Sequence, residues 1–80
     1  MTQTTDESVL KKITKLVEEE QHLYAQDPMD DHAVVRAEAL KVELDQCWDL
    51  LRQRRALREF GEDPNRAKVR PASVVEKYEQ

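Results

Sequence analysis

Glycine occurs once in the 80 residues, at Gly61, and proline three times, at Pro28, Pro64 and Pro71. So few breakers exclude a fold of many tight turns, and those present divide the chain cleanly. Cysteine also occurs once, at Cys47, which excludes an internal disulfide. A lone thiol among leucines reads as a small buried hydrophobe, and it suits a reducing compartment. The opening MTQTTDESVLKK has no apolar run of signal-peptide length, and nowhere does the chain approach the ~20 apolar residues of a membrane span. A soluble, cytoplasmic protein without membrane contact is expected. Missing as well are a glycine-rich phosphate loop, Cys/His zinc spacing and a Ser/His/Asp arrangement. Neither an enzyme nor a bound cofactor is expected.

Charge is abundant and unevenly placed. Residues 1–50 hold five Lys/Arg against twelve Asp/Glu, a net of −7, and residues 51–80 hold eight against five, a net of +3. A chain of net charge −4 is a poor general ligand for phosphate backbones, although its basic last third can bind locally. Eighty residues make at most one small domain, marginal alone, so that partners are expected.

The breakers and the apolar spacing predict an all-α fold. Thr4 with Glu7 reads as a capping box for a first helix over about residues 5–26. Asp27 and Pro28 read as N-cap and first residue of a second helix over about residues 28–60, with Asp30 or Asp31 as alternative starts. Gly61 is the expected left-handed cap. Val9, Leu10, Ile13, Leu16, Val17, Leu23 and Tyr24 share one face of the first helix. The second helix has two apolar sides: Ala33, Ala37, Leu40, Leu44, Cys47, Trp48 and Leu51 on one, Val35, Ala39, Val42, Leu50, Leu57 and Phe60 on the other. The first stripe faces the preceding helix in an antiparallel two-helix hairpin over residues 1–61. The second stripe needs another neighbour. A C-terminal tail, residues 62–80, can supply it by folding back, with Asp63-Pro64-Asn65 as a turn and Ser73 with Glu76 capping a short terminal helical turn. Val69, Val74, Val75 and Tyr78 are its apolar contributors. A second copy of the chain can supply it too, by dimerising into a four-helix bundle.

In such a hairpin the second helix outruns the first, and its overhang carries Arg52, Arg54, Arg55 and Arg58. Helical rotation places Arg54, Arg55 and Arg58 along the stripe begun by Leu44, Cys47 and Leu51, with Arg52 to one side. Two roles are open for them. They can finish the packing, since cations suit a helix C-terminus and Asp6, Glu7 and Glu59 are near. Alternatively they are candidate partner-binding residues that grip an acidic protein surface or, less readily, a nucleic acid.

Other features carry less. Glu19-x-x-His22 has the spacing that di-iron bundles use, which leaves a metal-binding half-bundle as a further alternative, but both residues fall away from the apolar stripe. Glu20 lies within that stripe and calls for a cation, with Lys41 the nearest across the hairpin. His32 is expected in solvent near the connection, and Trp48 in the core as an anchor.

The run VELDQCWDLLRQRRALREFGEDP (42–64) resembles an actinobacterial family catalogued as a domain of unknown function, family 2630. DESVLKKITKLVEEE (6–20) and AKVRPASVVEKYEQ (67–80) extend the resemblance over nearly the whole chain. It departs around Gln21-His22-Leu23-Tyr24, where the family more often shows a single Glu-Glu-His run. The resemblance implies a small, helical, cytoplasmic protein and assigns no catalytic or binding residue. The expected role is therefore protein–protein interaction or regulation through the arginine-rich helix end, with a protein partner and self-association into an oligomer.

Overall fold

The computed structural model describes residues 4–75. Its first helix, α1 (Asp6–Tyr24), opens on a capping box. The Thr5 hydroxyl accepts the Ser8 N–H at 3.0 Å, and the Ser8 hydroxyl accepts the Thr5 N–H at 3.0 Å. The box thus sits one residue beyond the expected Thr4/Glu7 pair. A serine at the third helical position can return the bond itself, which frees Glu7 to meet Lys11 one turn on, at 3.4 Å. This shift also makes Asp6 the first helical residue.

The second helix, α2 (Asp31–Glu59), starts three residues later than Pro28. Asp30 is its N-cap, accepting the Ala33 N–H at 2.7 Å. Asp27 and the cis-bonded Pro28 belong instead to the connection. At the other end Gly61 takes φ +74°, which L side chains rarely adopt. The Gly61 N–H donates to the Arg58 carbonyl and the Glu62 N–H to the Leu57 carbonyl, at 3.1 and 2.8 Å. This paired closure satisfies carbonyls that the helix end would otherwise strand.

The two helices form the expected antiparallel hairpin, and no strand occurs among the described residues. Val9, Ile13 and Leu16 of α1 interlock with Leu40, Leu44, Cys47 and Leu51 of α2. Leu40 is wholly buried, and each such leucine contributes about 1.5–3 kcal/mol of burial. Near the connection the seam narrows to the buried Ala33 and Ala37. Trp48 is not the core anchor expected of it. It lies on the flank of the seam, 48% exposed, because it is turned ~100° from Cys47, and the inner stripe is filled by Leu44, Cys47 and Leu51.

The tail returns along the far side of α2. Asp63 caps a 3-10 turn, Pro64–Arg66, by accepting the Asn65 N–H at 2.9 Å. Gln53 then donates to the Lys68 carbonyl at 2.8 Å, and Gln46 donates to the Arg70 carbonyl at 3.1 Å. A single turn, α3 (Ala72–Val75), buries Val75 against α2. Of the tail's apolar residues, Val69 and Val74 stay exposed, so Val75 alone among the described ones is a true anchor. The expected Ser73/Glu76 cap and the contact of Tyr78 lie outside the described residues. Coverage of the second stripe is partial: Leu50 and Leu57 are half-buried, whereas Val35, Ala39 and Phe60 are exposed.

Candidate functional site

The four arginines divide into two pairs by rotation. Arg54 points into the seam and is 6% exposed. Its Nε donates to Asp6 Oδ1 at 2.8 Å and its Nη1 to Asn65 Oδ1 at 3.0 Å. Arg58, one turn on, donates through Nη2 to the other Asp6 oxygen at 2.7 Å. One guanidinium therefore joins the start of α1, the end of α2 and the corner of the tail. The hydrogen bonds from Arg54 and then Arg58 hold the Asp6 carboxyl below its ordinary range. These two arginines close the molecule at this end.

Arg52 and Arg55 are exposed. Arg55 was expected to continue the seam with Arg54, but the ~100° between successive residues carries it onto the flank. There it joins Trp48 and Arg52, at spacings of three, four and seven, around a shallow depression of about 180 Å³ floored by Leu51. An indole face beside guanidinium groups offers apolar contact and positive charge together, a combination enriched where proteins bind proteins.

A second ion pair was not foreseen. Asp49, 2% exposed, faces the tail. Arg70 donates to both of its oxygens, with Nε at 2.8 Å from Oδ2, and Gln53 donates to Oδ2 at 2.8 Å. The Arg70 hydrogen bonds outweigh burial and hold the Asp49 carboxyl below its usual range. The sequence did carry a signal for it: a lone acid on the tail-facing side of α2, among Val42, Leu50 and Leu57, requires a cation.

The remaining candidates have structural partners or none. Arg36 donates to Glu19 through Nε at 2.6 Å and Nη2 at 3.1 Å, a two-pronged pair that lowers the Glu19 carboxyl's pKa. Glu19 is thus half-buried between the helices, not turned wholly to solvent as expected. Glu20 makes no ion pair with Lys41; the cation near this level of the hairpin is Arg36, and it takes Glu19. His22 and His32 are exposed. Among the described residues no three of His, Cys, Asp and Glu converge as metal ligands would, and no helix is long and apolar enough to cross a membrane.

On the tail side a groove of about 320 Å³ opens between α1, α2 and Val69, walled by Ser8, Lys12, Gln46 and Cys47. Burial pushes the Cys47 thiol up, so that it remains protonated and unreactive. Glu43 borders the same groove, and its Oε2 is buried without a hydrogen bond, 3.8 Å from Arg36.

Comparison with known proteins gives relatives without an assigned activity. The family model described as "Protein of unknown function (DUF2630)" matches residues 5–80. Uncharacterized proteins of Mycobacterium bovis and of two strains of Mycobacterium tuberculosis are each 49% identical over 78 residues. Each match covers 92% of this chain and 90% of the relative. No solved structure matches the chain.

Proposed function

Because the chain belongs to the DUF2630 family of proteins of unknown function, whose relatives bring no reaction to explain, we propose that it is a non-catalytic, cytoplasmic protein–protein interaction module. Its docking surface is the flank of α2 bearing Trp48, Arg52 and Arg55. One observation carries this reading: a half-exposed tryptophan stands beside the exposed Arg52 and Arg55 on one flank of α2, whereas Arg54 and Arg58 turn inward to Asp6. Burying an exposed indole beside cations favours a partner with an apolar patch rimmed by carboxylates.

Substituting Arg52→Glu with Arg55→Glu tests it, using pull-down from the native cell beside thermal melting. A specific bound protein that is lost from the double variant, with the melt unchanged, supports docking through this flank. An unchanged set of bound proteins overturns it. Binding to RNA or DNA that falls steeply with salt and depends on the same two arginines replaces the protein partner with a nucleic acid.

A further inference from the structure

Trp48 does not stand alone on its side of the hairpin. Helical rotation places Leu10, Thr14, Val17, Gln21 and Tyr24 along one row of α1, at alternating spacings of four and three. In a chain with 38% charged residues, this row carries no charge. Its polar members are mild: the Thr14 hydroxyl turns back to the Leu10 carbonyl at 3.0 Å. Across the seam runs the α2 row of Val34, Lys41, Trp48 and Arg55, spaced by sevens. The antiparallel register, marked by Glu19–Arg36 and Asp6–Arg54, brings Leu10 within about one turn of the level of Trp48, Val17 of Lys41 and Tyr24 of Val34. Leu10, Tyr24, Val34 and Trp48 each leave roughly half their surface in solvent. The two rows make one apolar face, and the described part of the tail, residues 62–75, lies on another side.

Charge on this face is polarised along its length. Arg52 and Arg55 mark one end, and the exposed Asp27, Asp30 and Asp31 mark the other. Resting on the docking reading above, we propose that the partner on this flank is a second copy of the chain. The two copies meet face to face about a two-fold axis at the level of Val17 and Lys41, which runs across the helices. That operation lays α1 antiparallel on α1 and α2 antiparallel on α2, as in a four-helix bundle. It sets Trp48 on the second copy's Val34 and Leu10 on its Tyr24. It also sets Arg55 against Asp27 and Arg52 against Asp30 and Asp31. Lys41, at the axis, meets Lys41 of the second copy, and Glu38 and Asp45 of both copies, one turn to either side, offset the two ammonium groups. The other two-fold arrangement lays turn on turn and gathers the aspartates of both copies, so charge selects the first.

Sedimentation equilibrium on the full chain tests the proposal. A dimer is expected, with a melting temperature that rises with concentration. Trp48→Glu is expected to give a monomer of unchanged helicity. Because symmetry counts each end pair twice, Arg55→Asp or Asp27→Arg alone should raise the dimer Kd about tenfold. Arg55→Asp combined with Asp27→Arg should restore it, because the swapped charges meet again across the interface. A wild-type monomer at all concentrations overturns the self-pairing. So does a dimer indifferent to Trp48→Glu, or a charge swap that fails to rescue. The docking flank itself fails separately, when the Arg52/Arg55 reversal leaves every bound partner in place.

Discussion

Arg54 and Arg55 are adjacent in sequence and belong to different regions of the molecule. Arg54, with Arg58, Asp6 and Asn65, sits in a closed region where every charge has an internal partner. Arg55, with Trp48 and Arg52, sits on an open flank. A single ~100° step around the helix makes the difference, since the hairpin seam is only as wide as the residues it can cover. Identical side chains thus do opposite work: one guanidinium replaces an apolar cover where α1 ends, and the next is left as a surface charge. Buried, satisfied charges should govern folding, and exposed ones should govern association.

The largest effect belongs to the closed side. Arg70→Ala leaves the buried Asp49 carboxylate without its guanidinium partner, which should cost about 3 kcal/mol or the docking energy of the tail, whichever is smaller. Urea unfolding measures it, and proteolysis within residues 62–75 reports whether the tail has let go. Adding Asp49→Leu should recover most of the loss, because the stranded carboxylate is then gone. A single variant as stable as the wild type would show that the pair does not fasten the tail.

Next comes Arg54→Ala, which removes hydrogen bonds to Asp6 and Asn65 and opens a gap at the seam. About 2 kcal/mol is expected, against less than about 0.5 kcal/mol for Arg55→Ala. Equal losses for the two would erase the distinction between the regions. Acid should act on the closed region in the same direction. Asp6 and Asp49 both have folded pKa values below their unfolded ones, so the folded state binds fewer protons. Their contribution is complete above the ordinary carboxylate value of about 4 and is lost as pH falls through and below it. Melting temperature should therefore drop in that window, and Asp49→Asn should flatten the drop. A pH slope unaffected by that substitution would remove Asp49 from the account.

Much of the closed region was legible in the residues themselves. The breakers and the helical spacing of the apolar residues define the hairpin, Gly61 marks its end, and Asp6 stands among the few acids near the overhang. What was not legible depends on register. Three aspartates, at 27, 30 and 31, can each cap a helix, and only the tertiary fit selects Asp30. Across the hairpin Arg36 takes Glu19, which leaves Glu20 without its expected cation. Trp48 and Arg55 lie at the margin of an apolar stripe, where a small rotation separates core from surface. The Asp49–Arg70 pair spans a corner and an irregular tail, whose path no helical period dictates.

The smallest effect is the one that identifies the open flank. In dilute solution Arg55→Ala should melt like the wild type, because Arg55 is exposed and forms no ion pair among the described residues. At high protein concentration the wild type should gain stability from self-association and the variant should gain less. Salt should narrow that gap, since exposed pairs are screened beyond about 10 Å at 0.1 M, whereas the buried Arg54 and Asp49 contacts should persist. A variant that lags equally at every concentration and salt would mean that Arg55 supports the fold after all, and the open flank would shrink to Trp48 and Arg52.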